Sequence, residues 1–187
     1  MKKIVISFLL LISLKPLLAQ PIEAKLEEQM FSFERDVVRI YNELQKFLAE
    51  DTRRGSELKA FEQIITIYVD IVMDIYDTLW RLKGTTLESH QDLAARCLIL
   101  RALTYMERAQ EEPDNYARAC EDYKKALRLS LKAKRGSLLN SKLPYEIWVG
   151  KKMYTRLADL LDDRNKNFQM LDCFTEEHSQ SDREVVK

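Results

Sequence analysis

Glycine and proline are scarce in this chain, four of each in 187 residues. Strand-rich folds need many turns, and turns draw on these residues, so no strand-rich domain is expected. Histidine is scarcer still: His90 and His178 stand alone, and neither has a neighbour at metal-ligand spacing. Cys173 and His178 make at most half a site. There is no glycine-rich phosphate loop and no familiar nucleophile motif, and the acidic pair Asp162 and Asp163 reads as a solvated helix end beside Arg164. The sequence therefore assigns no catalytic residue, no metal and no cofactor, and a non-enzymatic protein is the expectation. Net charge is also lacking, with 30 basic and 30 acidic residues. Nucleic-acid binding draws on many phosphate contacts, so it is not expected of so balanced a chain.

What is present is helix-forming. Leu, Ala, Glu, Lys and Arg abound, 46% of residues are apolar and 32% are charged, as in an ordinary folded domain. The predicted fold class is all-α. Residues 1–19 stand apart. Lys2 and Lys3 precede the apolar run 4–14, long enough for a signal-peptide core and short of the roughly 20 residues that span a bilayer. Export is the leading reading, the periplasm the expected location, and no transmembrane span is expected after cleavage. An uncleaved membrane anchor is the alternative. Losing Lys2, Lys3 and Lys15 leaves 27 basic residues against 30 acidic ones.

Three cysteines, Cys97, Cys120 and Cys173, are an odd number for an exported chain. In a helical hairpin turning near Pro113, Cys97 and Cys120 are offset by roughly 12 Å along the axis, beyond disulfide reach. Both are read as small core residues.

Pro21, Gly55, Gly84, Pro113, Gly136 and Pro144 cut the chain into about five antiparallel helices, within a single helical domain 20–163. In 22–50, Leu26, Met30, Phe33, Val37, Ile40, Leu44 and Phe47 form a heptad seam. In 56–83 the seam is Phe61, Ile65, Tyr68, Val72, Ile75, Leu79 and Leu82. The two should fold back as a long hairpin, 22–83, with Ile64, Ile67 and Ile71 giving the second helix another face against the third. The alternative is a coiled coil with a partner chain. Thr85 and Glu88 have capping-box spacing at the start of a third helix reaching about residue 111. A fourth should run from Asp114 or Asn115 to near Gly136. A fifth is predicted over 144–163, with Ile147, Gly150, Met153, Leu157 and Leu161 inward. The tail, 164–187, is expected to be partly disordered, with Phe168 to Phe174 as a short cap.

Helices three and four carry Leu98, Ala102 and Tyr105, then Ala119, Tyr123 and Ala126, small and aromatic residues at fixed places in a helical pair. That pattern resembles a tetratricopeptide repeat. The turn around 111–115 is about five residues longer than the family's, and Leu131 stands where the family usually has proline. The fifth helix resembles the start of a second unit, so region 85–163 reads as repeat-like.

The resemblance implies binding on a concave surface formed by first helices. By position, Ile99, Leu103, Met106, Ile147, Lys151 and Tyr154 would face a groove accepting an envelope protein or peptide, unless the long hairpin covers the first three as core. A basic stretch, Lys124, Lys125, Arg128, Lys132, Lys134 and Arg135, is a second candidate surface, for an acidic partner or lipid. The expected function is an exported interaction scaffold or adaptor; a periplasmic carrier of small apolar ligands is the alternative.

Overall fold

A computed structural model of the chain describes residues 21–50, 55–109 and 111–168. The signal-peptide reading of 1–19 and the tail readings beyond residue 168 fall outside the described residues. The fold is all-α: α1 (Ile22–Ala49), α2 (Gly55–Lys83), α3 (Glu88–Arg108), α4 (Asp114–Leu129), the short α5 (Leu131–Lys134) and α6 (Ser137–Asn140), and α7 (Leu157–Phe168). A small antiparallel hairpin, β1 (Ile147–Val149) and β2 (Lys152–Tyr154), interrupts the helices. Among the described residues no helix is long and apolar enough to cross a membrane.

The heptad seams pack as expected. Met30, Val37 and Leu44 of α1 and Ile65, Val72 and Leu79 of α2 are buried, with Phe33 against Tyr68 and Phe47 against Phe61 at ring-centroid distances of 5.6 and 5.8 Å. Lys83 at the end of α2 reaches Glu27 near the start of α1 at 2.6 Å, which closes an antiparallel pair. Leu82, the last seam residue, is exposed. Ile64 and Ile67 are exposed too and only Ile71 is partly buried against the core, so the expected apolar face toward the third helix is corrected. That contact runs through another side of α2, where Glu62, Thr66 and Asp70 meet Arg108, Tyr105 and Arg101 of α3 in reverse order.

Against α1 the order is direct. Glu27, Glu34 and Gln45 lie beside His90, Arg96 and Glu107, so α1 and α3 run parallel with α2 joining them. α4 covers the last side of α3, with Ala94, Ala95, Ala102, Ala119 and Ala126 fully buried. Such small residues let helix axes approach closely. α3 is thereby buried on every side, which explains why its apolar residues follow no single stripe.

Two helix boundaries differ from the sequence reading. The capping box at Thr85 and Glu88 does not form; α3 starts after Leu87 without a side-chain cap, while the Thr86 hydroxyl pairs with that of Tyr76 and accepts from the Gln91 amide. The fourth helix ends early, at Leu129. Ser130 turns extended, its Oγ accepts from the Ala133 amide to cap α5, and it donates to Asp92 at 2.6 Å. A serine that bonds its own backbone competes with helix continuation. Gly136 then takes a left-handed φ of 72° between α5 and α6.

The helix expected over 144–163 is the largest correction. Gly150 has φ 59° and opens a two-residue turn with Lys151, the place where hairpin turns favour glycine. On either side, Ile147 and Tyr154 point into the core while Trp148 and Met153 point out, the alternation of a strand pair. Isoleucine, tryptophan, valine and tyrosine suit strands, and here that preference prevails over a helical spacing of apolar residues. Only Leu157 onward is helical, so the second repeat unit expected there does not form.

The cysteines also divide differently. Cys97 is a buried free thiol, its pKa pushed well up by burial, and Cys120 is disulfide-bonded. The reading of Cys120 as a plain core residue is thus corrected, while the rejection of a Cys97–Cys120 bridge agrees with the free thiol.

Candidate functional site

Of the six residues placed in a groove by sequence, five are core. Ile99 is 0% exposed, Leu103 and Met106 are 1%, Ile147 is 0% and Tyr154 is 4%. The α1–α2 hairpin and α4 enclose α3, and the inward face of the β-hairpin carries the other two. Lys151 alone is exposed, at the hairpin turn. No groove is brought together from this set.

The basic stretch is partly committed. Lys132 binds Asp92 at 3.1 Å and Glu88 at 3.4 Å, which raises its pKa, chiefly through the hydrogen bond to Asp92. Lys124 is half-buried, while Lys125, Arg128, Lys134 and Arg135 are exposed.

A cleft that the sequence reading missed opens between α1 and the β-hairpin. Its volume is about 500 Å³. Arg35, Val38, Arg39, Asn42, Glu43 and Lys46 of α1 line one wall, a spacing of three and four that gathers them on one helix face. Tyr145, Glu146 and Trp148 line the other. Asn42 joins the walls: its amide nitrogen donates to the Glu146 carbonyl at 3.1 Å, and its Oδ1 accepts from the Trp148 amide at 2.9 Å. A side chain thereby satisfies backbone groups that an edge strand would otherwise present to water.

The floor is anchored to the core. Glu34 Oε1 accepts from Arg96 Nε at 2.6 Å and from the Tyr145 hydroxyl at 3.0 Å, joining α1, α3 and the segment before β1. Burial, then the charge of Glu34, pushes the Tyr145 pKa well above the usual phenol range. Burial opposes the charge of Arg96, but its hydrogen bond and proximity to Glu34 outweigh that and hold the guanidinium charged.

The rim is different. Arg39 pairs with Asp36 at 2.9 Å and Lys46 with Glu43 at 2.6 Å, both one turn apart on α1 and largely exposed. Such pairs contribute about 0–1 kcal/mol, so an incoming carboxylate can displace them. Arg35 has no ion-pair partner among the described residues. Trp148 is 40% exposed and its Nε1 donates to Glu146 at 3.3 Å. The lining residues include no histidine, cysteine or serine, and no group of three or more potential metal ligands occurs among the described residues. The arrangement offers an aromatic surface beside displaceable cations.

Nothing in the sequence singled this place out, because Asn42 and Trp148 are 106 residues apart and the α1 wall reads as an ordinary solvated face. Compared with known protein families, with curated proteins and with solved structures, the chain matches none.

Proposed function

We propose that the protein is an exported, non-catalytic interaction module that captures an acidic segment of an envelope protein in the cleft between α1 and the β-hairpin. The observation that carries this reading is the half-exposed Trp148 fixed by Asn42 opposite Arg35, Arg39 and Lys46. Buried aromatic anchors with arginine dominate binding energies at interfaces. The helices serve as the rigid frame, and the repeat-like α3–α4 pair is part of that frame rather than the binding surface. A purely apolar ligand would strip water from the rim charges, which disfavours the carrier reading.

A photocrosslinking residue replacing Met153, beside Trp148 on the outer face of the hairpin, tests the proposal in the native envelope. A discrete protein adduct is expected, lost in Trp148→Ala and in the double variant Arg35→Glu, Arg39→Glu. Adduct formation that persists in both variants, with helical circular dichroism unchanged, would place binding elsewhere.

A further inference from the structure

Among the described residues, six large apolar side chains are more than half exposed, and five of them, Ile22, Trp80, Leu82, Leu87 and Leu131, lie at one end of the bundle. Scattered exposed leucines need no explanation, but clustering does. The shared end follows from the ion pairs that join helix termini: Lys83 to Glu27 ties the end of α2 to the start of α1, and Lys132 to Glu88 and Asp92 ties α5 to the start of α3. Trp148 is remote from it. Asn42, which holds Trp148, stands 20 residues along α1 from Ile22, about 30 Å at the rise of an α-helix.

We infer that this end rests on a lipid surface, with Trp80, Leu82, Leu87 and Leu131 entering the interfacial layer. Tryptophan favours that layer, where its ring is half wet and half apolar. Glu27 pairs with Lys83, Glu88 and Asp92 share Lys132 and Glu23 has no cation partner, whereas Arg81, Lys134 and Arg135 have no carboxylate partner, among the described residues. Lys134 and Arg135, with the exposed Arg128, flank Leu131 in the sequence, so the basic stretch and the apolar end coincide. Cations beside inserted apolar groups add attraction to anionic headgroups. Pro21 and Ile22 open α1 at this same end. An interfacial surface at this end holds the body in one orientation, with the cleft turned away from the bilayer.

The chain has two tryptophans, which makes the orientation readable. Full-length Trp148→Phe reports Trp80 alone, and Trp80→Phe reports Trp148 alone. On vesicles of phosphatidylcholine with phosphatidylglycerol, Trp80 emission should shift to the blue and be quenched when the acyl chains are brominated, while Trp148 emission stays unchanged. The double variant Leu87→Glu, Leu131→Glu in the Trp148→Phe background should lose both effects, and its partition to vesicles should fall at least about tenfold. These leucines are exposed, so the variant keeps its helical circular dichroism. Equal quenching of both tryptophans, or of neither, overturns the inference. So does a Trp80 already shielded from aqueous iodide without vesicles, which would mean that another part of this chain covers the end.

Discussion

Arg101 on α3 and Arg39 on α1 each face an aspartate within 3 Å, yet they do different work. Arg101 donates Nε and Nη2 to the two oxygens of Asp122 at 2.6 and 2.7 Å and Nη1 to Asp70 at 2.5 Å, bridging α4 and α2 from inside the bundle. Burial works against its charge, but the hydrogen bonds and charge of Asp122 prevail and hold it protonated. Asp122 is itself pushed up by burial, against the pull of Arg101. Arg39 pairs one turn away on its own helix, in water. The first kind of pair fixes which helices meet and in what register; the second leaves a cation available to a ligand. Arg108, held by Glu62 at 2.5 Å and by Glu112, repeats the first kind, and Lys46 repeats the second.

The largest effect should come from placing a charge in the core without a partner. Leu103→Glu puts a carboxylate where the side chain is 1% exposed, and a loss of more than about 4 kcal/mol is expected, read as a collapsed urea midpoint or an unfolded chain. A folded Leu103→Glu protein of ordinary stability would restore the groove that the helical repeat pattern suggested.

Next is the buried pair itself. Arg101→Leu leaves Asp122 buried without its cation, at a cost of about 3–5 kcal/mol. Adding Asp122→Leu should recover a large part of that loss, since replacing a whole buried pair by apolar groups is far cheaper than breaking it. Urea unfolding of the three variants measures the coupling. If both single losses simply add in the double variant, the pair is not the unit described above.

How much of this was legible follows the same division. The α1–α2 hairpin could be read because its seam residues, such as Val37 and Val72, recur over about six turns of each helix and belong to one contact. α3 misled because a helix buried on all sides has no preferred face, so Ile99 and Leu103 looked available when only their surroundings decide that. The segment after Pro144 misled because Ile147, Gly150 and Met153 fit helical spacing, whereas Ile147 and Tyr154 face the core across a turn at the left-handed Gly150 and Met153 points out. Arg101 with Asp122, like Asn42 with Trp148, depends on elements brought together by the fold, which spacing along one helix does not report.

His90 lies between the two kinds. It is 2% exposed, its Nε2 stands 3.8 Å from Glu27, and its Nδ1 has no hydrogen-bond partner. Burial lowers its pKa below 6.5; Glu27 opposes this and Lys83 reinforces it. The unfolded chain therefore binds more protons between the folded pKa and 6.5, and stability rises with pH across that window. The contribution is complete above 6.5 and is lost as pH falls below it. Glu27, its pKa lowered chiefly by the hydrogen bond from Lys83, stays ionised through this range and gives way only in stronger acid. Urea midpoints at pH 7.5 and 5.5 should converge in His90→Leu and differ in the parent chain; equal pH dependence in both would mean that His90 titrates as freely folded as unfolded.

The smallest stability effect should belong to Arg39→Ala. Its ion pair with Asp36 is exposed and local, and removing it is expected to change stability by no more than about 0.5 kcal/mol. Lost contact with a bound carboxylate is another matter, since a charge-assisted hydrogen bond in a partly dry cleft contributes about 1.5–3 kcal/mol, or roughly tenfold to a hundredfold in affinity. Thermal unfolding and photocrosslink yield at Met153, measured on the same variant, separate the two. Unchanged stability with a sharply reduced yield is the outcome that distinguishes a binding cation from a structural one. A variant that loses stability as Arg101→Leu does would move Arg39 into the architecture and empty the cleft of its leading cation.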